Sequence, residues 1–368
     1  VGAAAVVGLA GWLTARAHRG RAGLALWRRP LPPRVARWAR APGPRRALRT
    51  LGLAGLAVAL GTLLVASAMP DRLTEPVGLV RAGVMAIGLT SLLAGPVGRL
   101  LSPWRLLRPP LRARDPDPAA STGSKGLGPA IPTTLAVAAL LIADLDPARL
   151  AAGLVGYALL VTAAVAVRGP DWCARGEAFE VVSGLLARLA PVGPDRAARN
   201  TLVGRSPLLG IVQSAPRPGL RGVLAAWSAG LAAAAASRAD WWGEAATAAG
   251  LAPEGLPAIA LLLLAAFVLA SVVIRAATPR AFLADALVPA LAGWTVAIGL
   301  TSLPAPDRVL LETVAWSAVL AGHLLSVSAA HRMTTARFDL RAARAVQFPL
   351  RLALIAGAAG AAPVVGPG

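Results

Sequence analysis

Apolar residues fall in blocks along the chain, in windows of roughly 15–23 residues separated by polar connectors, near the ~20 needed to cross a ~30 Å hydrocarbon core. Ten such windows can be drawn: 1–15, 47–68, 77–95, 129–143, 148–167, 220–237, 257–274, 281–303, 309–331 and 346–362. The pattern predicts an all-α, polytopic integral membrane bundle of about 10 transmembrane helices, a single membrane domain over residues 1–368. The first and fourth windows are short. The first reads as truncated, because the chain opens at Val1 without a methionine.

The connectors supply an independent check, because orientation follows the Lys/Arg bias of short loops. Segments 16–46, 96–128, 168–219, 275–280 and 332–345 carry 29 of the 37 basic residues. The alternate connectors 69–76, 144–147, 238–256 and 304–308 carry only Arg72, Arg238 and Arg308. A wrong span count would scramble that alternation. The basic connectors are expected on the cytoplasmic side of a bacterial inner membrane, with both termini outside.

Composition narrows the class. Hydrophobic types make up 56% and charged types 15%, against about 45–50% and 25% in soluble domains. The single Cys173 excludes an intrachain disulfide and a cysteine-based zinc site. A net charge of +20 would suit a nucleic-acid binder. Here the charge is spread over five connectors on one membrane face, not along one helix or sheet, which argues against nucleic acid as a partner. The partners expected instead are membrane lipids, whose anionic headgroups attract each nearby basic residue by about 1 kcal/mol.

Three connectors are long. Segment 16–46 holds Trp27, Trp38 and five prolines, so it cannot be one helix and is expected as an arginine-rich strip at the headgroups. Segment 108–128 reads as a flexible linker. Its Gly123-Ser124-Lys125-Gly126 lacks the leading glycine and the setting of a phosphate loop. In the cytoplasmic connector 168–219, Phe179, Val182, Leu185, Leu186 and Leu189 recur at helical steps. They predict an amphipathic helix over 174–190, on the membrane surface or docked against the bundle, stopped by Pro191 and Pro194.

Polar groups inside spans are costly and mark candidate chemistry. Arg81 is expected to snorkel outward or meet Glu75, and Asp285 to lie within reach of Arg280 or Arg275. Glu312, His323 and His331 share the ninth window. At 100° per residue, Glu312 and His323 are about 20° from alignment, while His323 and His331 are about 80° apart and about 12 Å along the axis. An imidazole near the midplane can bind a metal, relay protons or act as general acid/base. His323, His331 and Glu312 are therefore the candidate catalytic residues. His323 is also the candidate metal ligand, for a divalent ion completed by carboxylates such as Asp285, or Asp240 and Glu244. Two histidines about 12 Å apart cannot share one ion. Pro289 is expected to kink the eighth window and free a carbonyl near Asp285, as at a transport site, so Asp285, Pro289 and Asp240 are the candidate substrate-binding residues. Gly55 with Ala59, and Gly357 with Ala361, are spaced for close helix packing. Pro349 reads as a first-turn proline of the last span. No His-Glu-x-x-His run, nucleophile elbow or Walker A motif occurs.

Several segments together carry a resemblance. They are Ser102-Pro103-Trp104-Arg105; Trp172 leading into Arg175-Gly176-Glu177-Ala178-Phe179; Leu185-Leu186-Ala187-Arg188-Leu189-Ala190-Pro191; Leu287-Val288-Pro289; Gly322-His323-Leu324; and Ala330-His331. In this order, from about residue 20 to 360, they resemble the multi-pass membrane proteins of high-GC bacteria labelled fenitrothion hydrolase. The resemblance implies an integral membrane protein that hydrolyses an organophosphoester at a His-centred, metal-assisted site. The family pattern has an Asp after the second histidine, where this chain has Arg332, and a histidine in the eighth span, where it has Ala297-Ile298-Gly299. Three readings stay open: a membrane-embedded hydrolase, a permease with a midplane site at the kinked eighth span, and a non-catalytic structural membrane protein.

Overall fold

The computed structural model describes residues 26–69, 76–107, 126–195, 201–301 and 308–359. The window 1–15, most of the 108–128 linker, Arg72, Glu75 and Ala361 lie outside them. The chain enters through strand β1 (Arg28–Pro30), helix α1 (Pro33–Arg40), α2 (Pro42–Ala68) and α3 (Pro76–Ala94). A short α4 (Val97–Leu101) and a 3-10 turn (Pro103–Leu106) follow. Helices α5 (Ala130–Ile142) and α6 (Pro147–Arg168) lead to a 3-10 turn (Pro170–Trp172), α7 (Cys173–Gly176) and α8 (Ala178–Leu186). Strands β2 (Val192–Asp195) and β3 (Thr201–Arg205) and helix α9 (Pro207–Val212) complete the connector. The rest is α10 (Leu220–Ala236), α11 (Asp240–Ala248), α12 (Leu256–Ala277), a 3-10 turn (Ala281–Leu287), α13 (Val288–Thr301), α14 (Arg308–Thr335) and α15 (Leu340–Ala359).

Prolines mark where helices begin: α2, α6, α9 and α12 each carry one in the first turn, where its missing N–H removes no helical bond. Asp146 caps α6 by accepting the Arg149 N–H at 2.8 Å. Pro349 is different. The last helix starts at Leu340, so Pro349 is an interior proline and not the first-turn residue expected. Its ring leaves the Ala345 carbonyl without its helical donor.

Among the described residues six helices are long and apolar enough to cross a membrane: α2, α3, α6, α12, the stretch Ala281–Leu300 and α14. The pair α10–α11, bent by 94°, makes a seventh if it counts as one span. Helix α5 has 13 residues, about 20 Å at 1.5 Å per residue, short of a ~30 Å core. Helix α15 carries Arg341, Arg344 and Arg351 and is not among the six. Length and apolarity alone therefore do not reach the expected ten.

The exterior is inverted relative to a water-soluble protein. Val167 and Val309 are 75% exposed and Leu93 is 70% exposed, along with rows of Leu and Val on α2, α6 and α12, while Asp285 is fully buried. A mainly helical chain with this surface matches lipid, where apolar side chains lose nothing by facing outward. With no hydrophobic drive between spans, close packing must hold them. Between α13 and α14 it comes from Gly293 and Gly322: a Cβ on Gly293 would sit 2.4 Å from the Ala318 carbonyl oxygen, and one on Gly322 would sit 2.5 Å from that of Pro289. The expected pair at Gly55 does not act this way, since a Cβ there would meet nothing within 4 Å.

The basic connectors converge on one end of the bundle. Strand β1 pairs antiparallel with β3, and β3 with β2, giving a small sheet of order β1-β3-β2 in an otherwise helical protein. Residues 28–30 of the arginine-rich strip thus form a strand paired with the 168–219 connector. Arg221 Nε donates to Thr278 Oγ1 at 3.2 Å, and the Arg337 guanidinium lies 4.6 Å from the Phe282 ring centroid. The sparsely charged connectors meet elsewhere: the Asp144 N–H donates to the Glu254 carbonyl at 3.0 Å, and Trp242 Nε1 to Pro253 at 3.0 Å. Arg81 donates to the Ala143 carbonyl at 2.9 Å, next to the sparsely charged connector 144–147.

Candidate functional site

The 168–219 connector is expected to carry one amphipathic helix over 174–190. It is broken at Glu177 into α7 and α8. The cause is local: the Glu177 carboxylate caps α8, accepting the Phe179 N–H at 3.0 Å and the Glu180 N–H at 2.6 Å. Tyr157 of α6 donates its hydroxyl to the same carboxylate at 2.6 Å, and Thr133 of α5 donates to the Gly176 carbonyl at 2.7 Å. Burial pushes the Glu177 carboxyl up to about 7. The Tyr157 bond and the two backbone N–H groups oppose that rise, and the nearby Glu180 adds to it. Cys173 is fully buried beside it. Its thiol is pushed up to about 12, by burial first and then by Glu180 and Glu177.

Helix α8 is enclosed on both faces. Its polar residues Glu180 and Ser183 are buried, whereas Phe179 and Val182 on the expected apolar face are only half-buried. Its polar face is occupied by other segments. Arg105 donates to Glu180 through Nε at 2.8 Å and Nη2 at 2.5 Å, a bidentate pair with both side chains under a tenth exposed. Burial, the largest single influence, lowers the Arg105 guanidinium, but the Glu180 hydrogen bond and charge, with Cys173 and Asp171, together hold the group above its ordinary value. Arg99 lies 3.7 Å from the same carboxylate. Packing is tight enough that a Cβ on Gly98 would sit 2.4 Å from Ser183 Oγ.

One turn beyond α8, Arg188 pairs with Asp285. Asp285 lies in the 3-10 turn that precedes α13, so the eighth window is broken where its one acidic residue is buried. Pro289 sits in the first turn of α13, next to the break. The Ala290 N–H, one of the orphan donors of that first turn, donates to Ser326 of α14 at 2.9 Å. Asp285 thus meets Arg188, not Arg275 or Arg280. Arg205, buried at the end of β3, donates to the carbonyls of Ala187 at 3.0 Å, Arg188 at 3.3 Å and Ala190 at 3.3 Å, closing the C-terminal end of α8. Its guanidinium is held between Gly193 and Gly210, where a Cβ would come within 2.4 Å and 2.8 Å of it. Between α4, α8 and the sheet lies a cavity of about 240 Å³ whose wall includes Arg99, Glu180, Arg188, Arg205, Gln213 and Arg217.

The residues proposed from sequence are not gathered into one place. His323 is buried on α14 and its Nδ1 is 2.7 Å from the Val319 carbonyl of its own helix, so that nitrogen donates within the helix. Glu312 is half-buried on the same helix, but eleven residues put it about 16 Å from His323 along the axis. His331 lies near the C-terminal end of α14, where its carbonyl accepts the Thr334 and Thr335 hydroxyls at 3.0 Å and 2.8 Å. Asp240 is exposed at the start of α11, whose Trp242 packs in a different apolar cluster from that of the Asp285 turn. Among the described residues no three His, Cys, Asp or Glu side chains come together to hold a metal ion. The residues not anticipated are Arg105, Glu177, Glu180, Arg188 and Arg205. Acids placed within arginine-rich connectors were the available signal.

Comparison with known proteins gives no match: no family model, no curated protein and no solved structure is similar to this chain.

Proposed function

We propose that this chain is a multi-pass permease of a bacterial cytoplasmic membrane, with ten spans, a basic cytoplasmic face and both termini outside. Helices α5 and α15 and the α10–α11 pair supply spans beyond the six of full length and apolarity. Membrane lipids are its immediate partners. The observation that carries the reading is the break at Ala281–Pro289, where fully buried Asp285 pairs with Arg188 beside a cavity. A broken helix next to a buried charge is how many transporters build a solute site, and an ion pair inside a membrane protein is too costly to be ornamental.

Stopped-flow swelling of proteoliposomes in iso-osmotic series of neutral, cationic and anionic small solutes tests it. At least one class should enter faster than in protein-free liposomes. D285N should abolish that influx and D285E should retain part of it. Influx of no class above the protein-free rate refutes the permease. Organophosphoester hydrolysis at His323, with Glu312 and His331 in support and a divalent metal bound, rests on the resemblance alone. Turnover of a p-nitrophenyl phosphotriester with and without zinc or manganese, against an H323A control, decides that reading. Inactivity in both assays leaves the structural reading.

A further inference from the structure

We infer that β1, α1 and the start of α2 form a docking surface for an anionic bilayer face, with phosphatidylglycerol-type headgroups as the partner, and that docking clamps the 168–219 connector through β3. The inference rests on the membrane placement proposed above and not on transport. Residues 26–69 contain no aspartate or glutamate. Arg29, Arg34, Arg37 and Arg46 are exposed, and among the described residues none of these four is in an ion pair. Apolar groups stand open beside them: Trp27 is 48% exposed and Val35 47%. At 100° per residue, Val35 lies 100° from Arg34 and 160° from Arg37 around α1, so the helix has a basic flank and an apolar one. That make-up suits a helix lying in the plane of the headgroups, where a tryptophan ring also settles.

Position favours lipid over an acidic protein. Helix α1 is joined by the single residue Ala41 to α2, one of the helices long and apolar enough to cross a membrane. At eight residues it is about 12 Å long, so all of it stays near the membrane boundary. The attraction of basic residues to an anionic leaflet acts over about that range, with a Debye length of about 8 Å at physiological salt. The clamp follows from the pairing of β1 with β3. The Ser206 N–H donates to the Trp27 carbonyl at 3.0 Å and the Leu31 N–H to the Leu202 carbonyl at 3.3 Å, one bond at each end of the ladder. A Cβ on Gly204 of β3 would lie 3.7 Å from the Trp27 ring, so the indole rests on β3 and keeps about half its surface open. Strands of three to five residues are marginal by themselves, and a surface that holds β1 steadies β3 with it.

The test uses the full chain in nanodiscs of phosphatidylcholine with and without phosphatidylglycerol. V35C, with fully buried Cys173 left in place, carries a polarity-sensitive fluorophore. Phosphatidylglycerol should shift its emission to the blue and bring it within reach of headgroup-labelled quenching lipids. In the unlabelled parent the same lipid should slow amide exchange of peptides covering 27–31 and 201–206 severalfold. Salt at about 1 M, where the Debye length is about 3 Å, should reverse both effects without any substitution. R34Q/R37Q should lower the docked-to-free ratio read from the emission by about fivefold per arginine, and R341Q, an exposed arginine at the start of α15, should leave it unchanged. Emission that is the same in both kinds of disc, or indifferent to salt, or moved as much by R341Q, overturns the inference. A blue emission already present in detergent marks a second copy or residues 1–25 as the occupant and also overturns it. Docking at Val35 with unaltered exchange over 201–206 overturns the clamp. None of these readouts needs flux: failure of every solute to enter proteoliposomes would refute the permease and leave this surface standing, and solute entry with lipid-independent emission would do the reverse.

Discussion

Glu177 offers a sharp perturbation, because the fold places a carboxyl that titrates near neutrality at a helix cap. Its carboxyl moves from the ordinary 4.5 to about 7 on folding. Between those values the folded protein binds a proton that the unfolded chain has released, so stability must fall as pH rises through this window. Below pH 4.5 both states are protonated and nothing is lost. Above about 7 the full penalty applies, about 3 kcal/mol at 1.36 kcal/mol per pH unit. E177Q removes the titration at a fixed cost. One carboxylate oxygen accepts from Phe179 N–H and Tyr157 and the other from Glu180 N–H, and an amide can replace only one acceptor, leaving an N–H orphaned for about 1 kcal/mol. The measurement is unfolding of parent and E177Q in detergent from pH 4.5 to 8, taking the difference so that other titrating groups cancel. The parent should be the more stable by about 1 kcal/mol at the acid end, and E177Q by about 2 kcal/mol at pH 8. Parallel curves with no crossing would show that Glu177 is not held in this way.

Four further outcomes follow from the same geometry. D285N should remove the carboxylate that faces buried Arg188 and cost about 3–5 kcal/mol, a melting drop on the order of 10 °C, while D285L/R188M should recover most of it. G322A brings a Cβ to 2.5 Å from the Pro289 carbonyl, so α13 and α14 must separate, at about 1–3 kcal/mol by chemical denaturation. Cys173, fully buried with its thiol pushed up to about 12, should resist maleimide at pH 8 in the native protein and react in SDS. With that thiol silent, single cysteines placed near residues 115 and 200 should be labelled by membrane-impermeant maleimide only after cell lysis; labelling of intact cells would invert the proposed orientation.

Much of the architecture is legible in the chain because the bilayer imposes simple rules. Six windows return as helices of spanning length, and the arginine-rich connectors do gather at one end, where β1, the Arg105 turn and the Asp285 turn meet. The remaining windows exceed what local hydropathy can decide. Helix α5 stops at Ile142 after 13 residues, and the last helix starts six residues before the window drawn for it. The site is harder to see for a physical reason. Periodicity over 174–190 identifies an apolar face of the helix but says nothing about what covers the polar one. The partners there, Arg105 for Glu180 and Asp285 for Arg188, lie 75 and 97 residues away in sequence. The ninth-window histidines drew attention as rare residues, yet His323 spends its Nδ1 donor on its own helix.

The buried acids explain why the connector folds as it does. In a chain with 17 acidic against 37 basic residues, Glu177, Glu180 and Asp285 are all buried, and each is held by a segment remote in sequence from its own. Burying an ionised group without a partner costs several kcal/mol, so none of these contacts can be lost singly without penalty. Glu180 fastens α8 to the turn after α4, Glu177 fastens it to α6, and Arg188 fastens its end to the break before α13. Arg205 closes the terminal carbonyls and in doing so commits the β2–β3 hairpin to the same place. Helix α8 is too short to span a bilayer, and the surrounding helices enclose it on both faces. Its position is therefore fixed by charge pairing as much as by packing. A shift of the Asp285 turn would therefore pass through Arg188 to α8 and so to the cavity wall.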